Sequence, residues 1–171
     1  MKKLLPLFLI FALSTVFAVD MSGKLGMGIG WTVGSSGIPD AAITKFALGE
    51  KLVLEPALLF SFTSMSNDES ESNYEFNLNL LLAYALMAHE KTNFYAKAGI
   101  SFGMEKEPKM TSFGIPLGLG LEYFVSDHFA VDLNHVMGFN YTMYDYDEIE
   151  QKTMRFNITT HQLTAGLVWY Y

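Results

Sequence analysis

Over residues 113–125 the chain alternates without a break. Phe113, Ile115, Leu117, Leu119, Leu121, Tyr123 and Val125 hold the odd positions; Gly114, Pro116, Gly118, Gly120, Glu122 and Phe124 hold the even ones. Successive side chains of a strand point to opposite faces, so this segment predicts a β-strand with one large apolar face and one of mainly small or polar groups. The same period recurs along the chain. Phe129, Val131, Leu133, Met137, Phe139, Tyr141 and Met143 oppose Ala130, Asp132, Asn134, Gly138, Asn140 and Thr142, and only His135 breaks the apolar set. Ala96, Ala98, Ile100 and Phe102 oppose Lys97, Gly99, Ser101 and Gly103, while Phe76, Leu78, Leu80, Leu82 and Tyr84 oppose Glu75, Asn77, Asn79 and Ala83. Leu54, Leu58 and Phe60 oppose Val53, Glu55, Ala57 and Ser61; Leu25, Met27, Ile29 and Trp31 oppose Lys24, Gly26, Gly28 and Gly30. A weaker strand covers residues 42–48, and the last one sets Leu163, Ala165, Leu167, Trp169 and Tyr171 against Gln162, Thr164, Gly166, Val168 and Tyr170. Eight strands are expected.

Short polar links at residues 49–51, 89–92 and 126–128 alternate strictly with longer ones at 32–41, 64–73, 105–110 and 144–152. That layout predicts an all-β, eight-stranded antiparallel up-and-down barrel. A soluble ligand-binding barrel would turn its large apolar side chains inward, but the interior of eight strands is only just wide enough for side chains to fill. Glycine, small residues and scattered charges fit that interior; a ring of Leu and Phe does not. The apolar face therefore meets lipid, and the barrel is a transmembrane one. Aromatic residues gather at strand ends, with Trp31, Phe60, Phe62, Tyr74, Tyr141 and Tyr144 beside the long links. Tyr84, Phe94, Tyr123, Phe129, Trp169 and Tyr171 lie beside the short ones. Two interfacial girdles have this appearance.

Lys2 and Lys3 precede an apolar run over residues 4–17, and Val16-Phe17-Ala18 carries small residues where a signal peptidase reads. Residues 1–18 are expected to be a signal peptide and 19–171 a single barrel domain. The run is too short for a membrane anchor, which needs ~20 residues. The chain has no cysteine, in keeping with an exported protein that uses no disulfides. Its formal charge of −7, more negative once Lys2 and Lys3 are removed, argues against nucleic acid as a partner.

These features resemble the small OmpA/OmpX-like outer-membrane β-barrel family over the whole of residues 19–171. The resemblance implies localisation in the outer membrane of a Gram-negative-type bacterium, contact with membrane lipid and lipopolysaccharide, and a role for the last strand as the address read by the barrel assembly machinery. Leu163, Leu167, Trp169 and Tyr171 carry that address. The chain shows no appended peptidoglycan-binding segment, so no cell-wall anchoring role is expected.

Five inward-facing charges form the main candidate site. Lys24, Glu55, Lys97, Glu122 and Asp132 all lie a few residues from the short-link end, with Lys45 a possible sixth. Buried charges need partners, because each costs several kcal/mol in desolvation. A network of Lys24 and Lys97 with Glu55, Glu122 and Asp132 is expected to plug the lumen; a structural role is preferred over a gate in a narrow conduction path. A hairpin centred on residue 148 would pair His135 with His161 on the lipid face, where polar groups raise a functional suspicion. Neutral imidazoles bonding each other, or a neighbouring protomer's edge, are the preferred explanation. The acidic stretches 67–71 and 144–150 could hold divalent cations against lipopolysaccharide phosphates, although plain solvated loops explain them better.

No cofactor, metal-ligand spacing or phosphate-binding glycine loop is evident. Catalysis would need a nucleophile beside a histidine and an orienting carboxylate. The neighbours of His135 on its face are Leu133 and Met137, and Ser126 and His128 sit in a turn open to water. The expected role is structural or interactive, not enzymatic. A small solute channel is the second hypothesis, and a lipid A-modifying enzyme a distant third.

Overall fold

The computed structural model describes residues 23–33, 39–64, 72–106, 109–146 and 151–171. The expected signal peptide and residues 67–71 lie outside them. Eight strands follow one another: β1 (Leu25–Thr32), β2 (Ala41–Ala47), β3 (Leu52–Ser64), β4 (Ser72–His89), β5 (Thr92–Glu105), β6 (Met110–Ser126), β7 (Phe129–Tyr146) and β8 (Gln151–Tyr170). Each pairs antiparallel with the next, and β8 returns to β1 from Gly26↔Tyr170 to Thr32↔Thr164, closing the barrel. Closure satisfies the backbone groups that an open sheet would leave bare at its edges, which a bilayer does not tolerate.

The alternation sorts the side chains as the sequence implies. Ile100 and Ile115, halfway along their strands, are 63% and 56% exposed, and Leu78, Leu119, Leu133, Met137 and Phe139 share that outer face. So continuous an apolar surface, far beyond the few hundred Å² a soluble monomer tolerates, requires lipid around it. Phe129 packs against Trp169 near the short-turn end, with ring centroids 6.1 Å apart.

The strands run further into the long links than the alternation shows. Asp145↔Lys152 and Tyr146↔Gln151 still pair, so the expected link over 144–152 reduces to 147–150, which lies outside the described residues. Pairing beyond the lipid belt needs no apolar face, so the period-two signal fades before the ladder does. The wall is also uneven. β1 and β2 span 8 and 7 residues beside β3 at 13 and β8 at 20. Above Leu163, whose carbonyl accepts from Val33 N–H, β8 has partners only on β7 among the described residues.

Three irregularities reset the register, one of them at Val125 of β6, where Phe124↔Ala130 is followed by Ser126↔Phe129. Ala85↔Tyr95 is followed by Met87↔Phe94, leaving Leu86 as the extra residue of β4. Val136↔Gln162 is followed by Gly138↔Thr159, so Thr160 and His161 together oppose Met137, a bulge on β8. Both prolines within strands interrupt a ladder: pairing of β2 with β3 skips Pro56, and pairing of β5 with β6 skips Pro116. Proline has no N–H to contribute there.

Candidate functional site

Strand β7 reads out the layers of the lumen. From the short-turn end its inward residues are Ala130, Asp132, Asn134, Val136, Gly138, Asn140 and Thr142: apolar, then charged, then neutral polar with Val136 and Gly138 between. At the bottom, two small apolar clusters fill the interior, one of Phe124, Ala130, Val168 and Tyr170 and the other of Val53, Ala83, Ala85 and Tyr95.

The charged layer lies against these clusters. Glu122 of β6 stands directly opposite Asp132 of β7, and like charges in that position repel. Lys45 of β2 resolves the conflict, with its Nζ 2.8 Å from Glu122 Oε1 and 2.9 Å from Asp132 Oδ2. The same nitrogen is 3.5 Å from Glu55 Oε2. Lys97 Nζ donates to both Glu55 oxygens, at 2.9 and 2.8 Å, and to Asn134 Oδ1. Asn134 Nδ2 donates to Asp132 Oδ2 at 2.9 Å, which completes a ring through both lysines, Glu55 and Asp132, with Glu122 attached to it at Lys45. Gly120 makes room for it, since a Cβ there would collide with Lys97 Cε and Asn134 Oδ1.

Three carboxylates face two ammonium groups, and two phenols soften that imbalance. Tyr95 O–H donates to Glu122 Oε2 at 3.0 Å, and Tyr170 O–H donates to Glu122 Oε1. Charge-assisted bonds of this kind are roughly twice as strong as neutral ones. Asn93 Nδ2 in turn donates to Tyr95 Oη at 3.0 Å, and both ammonium groups lie 5.9 Å from the Tyr95 ring centre. That is within cation–π reach of about 6 Å. Glu122 and Asp132 are fully buried, and Lys45, Glu55 and Lys97 nearly so. Asn93 Oδ1 and Asp132 Oδ1 have no hydrogen-bond partner among the described residues.

The structure thus brings Glu55, Lys97, Glu122 and Asp132 together, with Lys45 at the centre and Lys24 elsewhere. Lys24 precedes β1, is half-buried, and makes none of the layer's ion pairs. Strand stagger decides which residues share a height, and it raises the middle of β2 to the level of Glu122. Tyr95, Tyr170, Asn93 and Asn134 were not singled out from sequence; Tyr95 shares the parity of Lys97, and Tyr170 that of Val168.

His135 is exposed on the outer face, but its cross-strand partner is Leu163, not His161. Two one-residue steps make the difference: the register set at Tyr146↔Gln151 already places residue 162 opposite 135, and the β8 bulge moves the partner on to Leu163. The side chain of His161 lies outside the described set. Leu163, Leu167, Trp169 and Tyr171 all face outward and are exposed, and Tyr171 N–H donates to Leu25 O at 2.9 Å just past the end of β8.

Above the charged layer the lumen widens into a cavity of about 570 Å³, whose walls include Asn77, Asn79, Ser101, Ser112, Asn140 and Thr142. Among the described residues no group of His, Asp or Glu is arranged to hold a metal ion.

A closed antiparallel barrel with an apolar exterior and a buried charged interior is a transmembrane β-barrel of the outer-membrane class. Residues 10–170 match the outer membrane protein beta-barrel domain, and the chain belongs to that family, which places it in the Gram-negative outer membrane. Among solved structures it is similar to the outer membrane protein OprG from Pseudomonas aeruginosa, with a TM-score of 0.54 and 12% identity over 86% of this chain and 95% of that one. It also aligns with the Yersinia pestis outer membrane protein Ail in a phospholipid bilayer nanodisc, at a TM-score of 0.45 and 12% identity over 88% of this chain and 100% of that one. A search of curated proteins finds no match. The likeness to OprG is one of fold.

Proposed function

We propose that this protein is a structural and surface-interaction barrel that supports membrane integrity and displays its long loops at the cell surface, with its lumen sealed by the charged layer. The observation that carries the reading is the closed ring of Lys45, Glu55, Lys97, Asn134 and Asp132, with Glu122 bonded to Lys45, buried across the short-turn half of the barrel. A solute path would have to break several charge-assisted bonds at once. The uneven rim supports the interactive part, since among the described residues the upper part of β8 pairs with β7 alone. On this reading the short turns face the periplasm, the outer face meets lipid and lipopolysaccharide, and Leu163, Leu167, Trp169 and Tyr171 serve barrel assembly. No catalytic role is included.

Planar-bilayer conductance tests the seal. The wild-type barrel is expected to show no conductance steps, and steps in the wild type would sink the sealed-lumen reading. A small channel gated by the same network is the second reading, favoured by the cavity that leads down to it. It requires Glu122→Ala to conduct; silence in both proteins removes it. Membrane integrity is tested by deletion: cells lacking the chain should take up an excluded hydrophobic dye faster, and unchanged uptake would count against that role.

A further inference from the structure

The cavity above the plug is built in two aligned rows. Register places Asn79, Ser101, Gly114 and Asn140 side by side across β4, β5, β6 and β7, and places Asn77, Gly103, Ser112 and Thr142 side by side one step nearer the long loops. Each row therefore carries three amide or hydroxyl side chains and one glycine. The glycines keep the wall hollow. A Cβ at Gly103 would collide with Asn77 Oδ1 and Ser112 Oγ, and one at Gly114 with Asn140 Oδ1 and Ser101 Oγ. The polar groups thus lie sideways along the wall over the glycines and border the cavity. Except for buried Thr142 they are half-buried, shielded from lipid yet open to the cavity.

The chemistry of the lining is selective. Among the described residues the lining holds no lysine or arginine, and Arg155, opposite Thr142, lies over the Tyr144 ring at 5.5 Å. The one carboxylate among the described lining residues, Glu75, already accepts from Asn77 Nδ2 at 2.7 Å, which moderates its pull on a cation. Amides and hydroxyls supply donors and acceptors in close alternation, which suits a ligand whose hydroxyl groups both donate and accept. The volume of about 570 Å³ falls within the roughly 300–1,000 Å³ range of small-molecule sites. The charged layer below makes the space a pocket with a floor.

We propose that the rows Asn79–Ser101–Asn140 and Asn77–Ser112–Thr142 form a binding site for a neutral, hydroxyl-rich small molecule of the sugar or polyol class, entered from the long-loop end. The site goes beyond the sealed-barrel reading and survives its failure, since a conducting barrel would keep the same wall.

The test is an amide and side-chain NH₂ NMR titration of the full barrel in nanodiscs with maltose, inorganic phosphate and tetramethylammonium as separate probes. Maltose should give saturable shifts confined to the signals of Asn77, Asn79, Ser101, Ser112 and Asn140, and the other two should not. Ser101→Ala combined with Asn140→Ala should weaken maltose binding at least ten-fold while the heat-modifiable gel band shows the barrel intact. Maltose shifts that are absent, spread over the surface or linear in concentration would overturn the proposal. So would saturation by phosphate or tetramethylammonium alone, or maltose affinity unchanged in an intact double variant. Should the double variant fail to fold, the three wild-type titrations decide the matter.

Discussion

The two halves of the lumen are walled by the same strands, yet their polar side chains find different partners. In the short-turn half Glu122, Asp132, Lys45 and Lys97 bond one another in a space that excludes water. In the long-loop half Asn77, Asn79, Ser101, Ser112 and Asn140 face an open cavity. The barrel's closure comes from the backbone ladder, so the lumen is free to take a different content layer by layer. What separates the halves is side-chain length. Lys, Glu and Tyr reach across the axis and meet, with Asn134 bridging Lys97 and Asp132; no such long side chain joins the Asn and Ser groups described in the upper rows.

The largest contrast should appear in chemical access. The chain has no native cysteine, so single cysteines can be placed on one strand or its neighbour without interference. In detergent micelles, where both ends of the barrel reach solvent, Ser112→Cys should label fully with a charged maleimide, and Ala130→Cys, at 0% exposure, should stay unlabelled. Equal labelling would erase the distinction between a dry half and a wet one.

Stability comes next. Lys45→Met removes the cation between Glu122 and Asp132 and leaves two buried carboxylates facing each other. Breaking a buried ion pair from one side costs about 3–5 kcal/mol, to be read from urea unfolding in micelles. Adding Glu122→Gln should restore part of the loss, because the two sites are coupled. A single variant within experimental error of wild type would mean that water already reaches the layer.

Tyr170→Phe should have a smaller effect in the same half. It deletes a hydrogen bond to a buried carboxylate and leaves Glu122 with Lys45 and Tyr95. Hydrogen bonds to charged groups are worth about 1.5–3 kcal/mol, and the same unfolding assay should return a loss in that range. A negligible loss would show that the phenol is not part of the plug.

Which residues face the lumen was legible from the chain, because parity is a local property of a strand. Residues 113–125 declared their two faces without any knowledge of their neighbours, and the odd Leu and Ile side chains do face outward. Which inward residues meet was less legible, because stagger between strands sets their heights. Lys24 and Lys45 both look inward on paper, and only the closed register selects Lys45. The bulge at Thr160 and His161 was invisible for a related reason: an extra residue leaves no compositional mark, yet it moves the partner of His135 one residue further, from 162 to Leu163. The two polar rows show both limits together. Parity turned Asn79, Ser101 and Asn140 inward, and only the pairing of four strands aligned them.

The smallest expected effect tests the upper half by its indifference. Ser112→Ala removes a half-buried hydroxyl that faces the cavity. Substitutions at solvated positions usually change stability by less than about 0.5 kcal/mol. Ser112→Ala should therefore unfold within that margin of wild type in the assay where Lys45→Met loses several kcal/mol. A loss above 1 kcal/mol, on the scale of a buried hydrogen bond left unmade, would mean that the rows hold the barrel together as the plug does. The two halves would then differ in composition but not in kind, and a pocket lined by groups already committed to the fold would have little left to offer a ligand.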